Sequence, residues 1–211
     1  MSLINRKNRG DTLVEVLFAT AVFSLVAVSC LSIMNQGTAT AERALEITLV
    51  RNEIDAQSEA LRFMNASYIS AYQSDPNYTY LSNTPAGQWK LMQDNVSINN
   101  VSAFGASGAS CPTIPSGGFI LNTRKALYLK PVGIVAPVPA VSYSKVNYDS
   151  SDNFKSAEGI WIEAVKVWPD NSNNQGNVGY IDFHIRACWD SPGQSAPVTL
   201  GTIVRLYEPH T

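Results

Sequence analysis

The sequence is short of the groups that most enzymes work with. Only two histidines occur in 211 residues, His184 and His210. No Gly-rich phosphate loop, HExxH, nucleophile elbow or CxxC pattern is present. Three cysteines without a matched pair of histidines argue against a zinc site. Charge is scarce as well: 15% of residues are charged, against roughly 25% in an average soluble protein. A net charge of −2 excludes a strongly basic nucleic-acid binder and a polyacidic tail. Aromatic residues, at 9%, are too common for a disordered chain. These absences point to a non-enzymatic protein with no cofactor and no metal. The length suits one globular domain with an extension.

What is present is concentrated at the N-terminus. Residues 1–10, MSLINRKNRG, hold Arg6, Lys7 and Arg9 and no acid. Asp11 to Glu15 follow, and then Val16 to Met34 runs without a charge. As a helix that run is roughly 28 Å long, about one hydrocarbon core. Thr20, Ser24, Ser29 and Ser32 temper its hydrophobicity. The basic leader should stay on the cytoplasmic side, with everything after residue 35 facing outward. Glu15 breaks the pattern, because an unpaired carboxylate costs about 2.5–3.5 kcal/mol near a membrane centre and less near its edge. It either sits at headgroup level or pairs with a positive group on its own or a neighbouring chain.

Arg9-Gly10 followed by Asp11-Thr12-Leu13-Val14-Glu15-Val16-Leu17 resembles the class III signal of type IV prepilins. In that family a short basic leader ends in Gly, a prepilin peptidase cleaves after it and methylates the new terminus, and a Glu stands fifth in the mature chain. The resemblance implies cleavage after Gly10, with Asp11 as first mature residue in place of the usual Phe. It also implies that Glu15 neutralises a neighbour's terminal amine during assembly. The implied function is a structural subunit, major or minor, of a type IV pilus or related filament. Its partners would be copies of itself or other pilins, the prepilin peptidase and the assembly platform in the cytoplasmic membrane, with no nucleic acid. It would begin as a single-pass cytoplasmic-membrane precursor, N-terminus inside, and end in a filament at the cell surface. A pseudopilin of a type II secretion or competence DNA-uptake system shares these features. Ala27-Val28-Ser29-Cys30 supports a third reading, a lipoprotein or secreted binding module processed at Cys30.

Beyond the apolar run, Ile47, Val50, Ile54, Gln57, Leu61 and Met64 recur at alternating spacings of three and four, one stripe of an amphipathic helix. Glu42, Arg43, Glu46, Arg51, Glu53, Asp55 and Glu59 occupy the other faces. A helix from Thr12 to about Met64 is roughly 80 Å long. Gly37, near the membrane exit, is a place for it to bend or melt. Residues 66–118 read as loop-rich with one or two short strands. Four strand candidates follow, within Phe119–Lys130, Gly159–Trp168, Val178–Trp189 and Val198–Tyr207, the first broken at Asn122 to Lys125. Short loops between the last three favour an antiparallel meander.

The expected organisation is a cleaved leader (1–10), a transmembrane and assembly helix (11–36), its amphipathic continuation (37–65) and a globular head (66–211). The class is α+β, a long helix packed on an antiparallel sheet and pilin-like in outline. Cys111 and Cys188, facing an oxidising compartment, most simply form one disulfide, with two unpaired thiols as the alternative. Asp170 to Asn177 alternates oxygen ligands but lacks the Gly and Glu placement of a calcium loop, so it reads as a polar hairpin loop.

Overall fold

The structure, a computed structural model, describes residues 11–75, 77–96, 111–112, 114, 117–129, 143–167, 179–191, 194 and 196–209. Helix α1 spans Asp11–Ser74 and α2 Pro85–Asn95. The strands are β1 Ile120–Asn122, β2 Leu127–Leu129, β3 Lys145–Tyr148, β4 Phe154–Glu158, β5 Ile160–Val167, β6 Tyr180–Trp189 and β7 Val198–Tyr207. The chain divides between Ala44 and Leu45 into two compact units. The first is the opening part of α1. The second, the head, holds the rest of α1, α2 and all seven strands, an α+β layout of helix packed on antiparallel sheet.

In the head, the α1 stripe read from the sequence is the docking face: Val50, Ile54, Gln57, Leu61 and Met64 are buried and Ile47 is partly so. Gln57 is the one polar member, and it is fully buried. Its amide donates to the Leu121 carbonyl at 3.0 Å and accepts from the Leu121 N–H at 3.1 Å. One side chain thus satisfies both backbone groups of a strand residue. The sheet is the expected meander, β5-β6-β7, antiparallel throughout. Its inner face gives Ile160, Ile162, Ala164, Ile181, Phe183, Ile185 and Ala187 to the core.

Three features differ from expectation. The helix ends at Ser74, not near residue 65. The polar stretch after Met64 keeps the three-four spacing through Tyr68 and Ala71, both against the core. The Ser67 and Ser74 hydroxyls fold back on the Phe63 and Ser70 carbonyls. Pro76 disfavours helix at the residue before it. Second, α2 lies inside the stretch expected to be loops. Thr84 caps it, accepting from the Gly87 N–H at 3.1 Å, and Pro85 opens it. Trp89 and Met92 of α2 are fully buried, with the Trp89 ring 5.6 Å from that of Phe183.

Third, β3 and β4 form an unforeseen hairpin. The Asp149 to Asp152 cluster is its turn: Asp149 Oδ1 accepts from the Ser151 and Asn153 N–H groups at 2.8 and 2.9 Å. The Asn153 side-chain amide, donating to Oδ2 at 3.0 Å, and then these backbone N–H groups hold the carboxyl below its usual range.

The outer face of β5 is also closed. Trp161 and Glu163 are fully buried there, with Trp161 Nε1 donating to Glu163 Oε1 at 2.7 Å. Cys188 shares that face and is joined to Cys111 in a disulfide, Cα to Cα 5.6 Å. Gly159, at φ +63°, stands just before β5, where a Cβ would lie 2.3 Å from the Cys188 carbonyl oxygen, so only glycine fits.

Candidate functional site

From Leu13 to Met34 the side chains of α1 are uncovered all round. Phe18 keeps 72% of its surface and Phe23 74%, and Leu17, Leu25, Leu31 and Ile33 are similarly open. This segment is long and apolar enough, by length and composition, to cross a membrane. Three of its four hydroxyls are satisfied within the helix. Thr20 donates to the Leu17 carbonyl at 2.9 Å, Ser24 to Thr20 and Ser29 to Leu25, both at 2.8 Å. A polar group satisfied inside its own helix carries little penalty in hydrocarbon.

Glu15 is the only charge between Thr12 and Ala41. It lies exposed near the start of α1, one turn from Asp11, the first residue of the helix. Gly10 and the rest of the leader lie outside the described residues. Cys30 is a free, exposed thiol. The helix passes both Cys30 and Gly37 without interruption. Thr38 and Thr40 close on the Asn35 and Gln36 carbonyls at 2.9 and 2.8 Å.

In the head, two acids read as surface residues do structural work. Glu46 Oε2 accepts from Trp189 Nε1 at 3.1 Å and from Ser191 Oγ at 2.7 Å, tying α1 to the end of β6. Its position one turn before Val50 was the available signal. Glu53 is half-buried, and burial raises its carboxyl above the usual range; Gln57 and then Arg124 offset this in part. Glu208 is raised the same way, against the amide of Gln93.

Among the described residues the head's one histidine stands in the sheet. His184 stands opposite Glu163 in the β5–β6 register, and burial, then Arg186, lowers its pKa. Among the described residues no group of His, Cys, Asp and Glu could hold a metal ion. The Asp170 to Asn177 loop and His210 lie outside the described residues. A half-open groove of about 540 Å³ runs between α1 at Ala56 to Phe63, Pro85 and the β1–β2 turn at Thr123 to Ala126. Its cations are engaged, Arg124 with Asp152 and Lys125 with Asn153 Oδ1 at 2.6 Å. No family model matches the chain, and no curated protein or solved structure matches it.

Proposed function

We propose that the chain is a non-enzymatic structural subunit, major or minor, of a type IV pilus or related filament. The observation that carries this reading is the uncovered apolar segment of α1 with a single carboxylate near its start. A head that has closed its own core has no use for such a segment, so the segment belongs to surroundings outside the chain.

In this reading the precursor sits in the cytoplasmic membrane with Arg6, Lys7 and Arg9 inside. Prepilin peptidase cuts after Gly10, and the helix then leaves the bilayer to pack among other subunits on the assembly platform. The apolar surface passes from one dry environment to another, so the hydrophobic term nearly cancels in the transfer. Register must then come from something else, and Glu15 paired with another chain's Asp11 amine supplies it.

The test is intact mass with N-terminal fragmentation of chain purified from native membranes and shed filaments. A chain starting at Asp11, with or without one methyl, supports the proposal. A start at Cys30, acylated or bare, overturns it. Recovery with long filaments separates a pilus subunit from a secretion or DNA-uptake pseudopilin.

A further inference from the structure

Strand β7 ends the sheet, and among the described residues it pairs only with β6. The hydrogen-bond parity shows which backbone groups are left over. The Cys188 N–H donates to the Gly159 carbonyl at 2.8 Å, and the Glu208 N–H to the Gly179 carbonyl at 2.9 Å. Both pairs continue the registers of their ladders. Bonded pairs in an antiparallel ladder recur every second residue. The even residues of β6 therefore bond β5, and its odd residues bond the even residues of β7. The N–H and C=O groups of Thr199, Gly201, Ile203 and Arg205 and the N–H of Tyr207 are then directed to the open edge, while the Tyr207 carbonyl accepts from the Asn65 amide of α1 at 3.3 Å. All five residues are exposed, Ile203 at 61% and Tyr207 at 55%.

Natural edges are blunted by proline, lysine or a bulge. β7 runs ten residues with none of these, in unbroken register. Its one charge, Arg205, is neutralised by two 2.7 Å bonds to Asp182 and lies 4.0 Å over the Tyr180 ring.

We infer that this edge pairs with the same edge of a second copy of the chain, antiparallel about Ile203, to make one continuous six-stranded sheet. The sequence of β7 is self-complementary in that register. Ile203 meets Ile203 of the second copy, Gly201 leaves room for the opposing Arg205, and Thr199 faces Tyr207. On the inner face Leu200 meets Leu206 and Thr202 meets Val204. Each outward N–H faces a carbonyl of the second copy, the Tyr207 carbonyl through the lone pair that Asn65 leaves free, and no like charges stand opposite one another. One strand pair buries less than the roughly 1,200–2,000 Å² of a stand-alone dimer. The pairing is therefore expected among chains held at high local concentration in a membrane. The inference uses the head's edge and the membrane-length stretch of α1 and does not rest on the filament reading.

The test is cysteine cross-linking of the full chain in membranes, on a Cys30→Ser background, with a short bismaleimide that leaves the native disulfide intact. Ile203→Cys should give a covalent dimer. Thr199→Cys alone should give none, because the register sets its two copies about 27 Å apart at about 3.4 Å per residue. Chains carrying Thr199→Cys mixed with chains carrying Tyr207→Cys should cross-link to each other. Tryptophan emission unchanged from the parent confirms that each variant folds. Absence of the Ile203→Cys dimer, equal dimer from Thr199→Cys alone, or capture of a different protein at position 203 overturns the pairing.

Discussion

Two stretches of α1 carry the same kinds of side chain and meet opposite fates. Leu61 and Met64 are fully buried against the head, whereas Leu17, Phe18 and Phe23 have no cover at all. Their polar residues differ in the same sense. Gln57, in the docked stretch, spends its amide on the backbone of β1, and Glu46 spends its carboxylate on Trp189 and Ser191. Thr20, Ser24 and Ser29, in the open stretch, spend their hydroxyls on their own helix. A helix fixed to one partner can place polar groups where that partner needs them. The open stretch turns three of its four hydroxyls onto its own backbone, and its one charge, Glu15, is the exception.

That exception gives the largest expected effect. Glu15→Ala should abolish filaments while the recovered chain still begins at Asp11, which separates assembly from processing. Normal filaments from this variant would remove the pairing role and leave Glu15 a headgroup-level carboxylate. Next comes a paired substitution across the two stretches. Leu61→Ala should lower head stability by about 2–5 kcal/mol, the range for emptying a buried leucine site. Phe18→Ala should leave it unchanged and weaken membrane retention instead. Denaturation followed by tryptophan emission reads the head alone, because Trp89, Trp161, Trp168 and Trp189 are the only four tryptophans. Equal losses from the two variants would erase the distinction drawn between the stretches.

The sheet and the docking stripe were legible because each rests on a regular period. Val198 to Tyr207 was placed to the residue, and every stripe position from Val50 to Met64 faces the core. What escaped was structure built from capping and turn chemistry. α2 is short and only half apolar, and its clearest mark is the Thr84-Pro85 pair. The β3–β4 hairpin turns on an Asp149 carboxylate that accepts from two backbone N–H groups. Residues 66–74 looked like loop because Ser and Tyr dominate, yet Tyr68 is buried in the core. Of the site residues, the disulfide cysteines could be paired by counting. Glu46 was marked only by its place one turn before Val50, and Glu53 by nothing, because helical spacing gives a face but not what lies against it.

A smaller effect comes from Glu53. Its carboxyl is raised by burial above the ordinary value of 4.5, so above that pH the folded head binds a proton that the unfolded chain has lost. Stability from this group is complete below about pH 4.5 and falls as pH rises toward the folded value. Glu208 has the same sign. Asp182 has the opposite one: Arg205 holds its carboxyl low, and that contribution is lost in acid. Glu53→Gln should therefore gain stability at neutral pH and flatten the decline above pH 4.5. A variant whose denaturation midpoint falls with pH as steeply as the parent's would show that the carboxylate is not disfavoured in the fold.

The smallest energetic change bears on where the two stretches meet. Gly37 stands between Met34, where the apolar run ends, and Glu42, where charge returns. A Cβ added there would touch nothing within 4 Å. Gly37→Ala therefore acts through helix propensity alone, about 1 kcal/mol toward helix. That is roughly a fivefold shift in any equilibrium between helix and a locally melted segment. If assembly requires this point to bend or melt, the substitution should lower filament yield or alter filament shape. It should do so with no change in head denaturation or membrane retention. Filaments of unchanged yield and shape would mean that the helix enters the assembly straight through Gly37, and the boundary between the stretches would be one of burial alone.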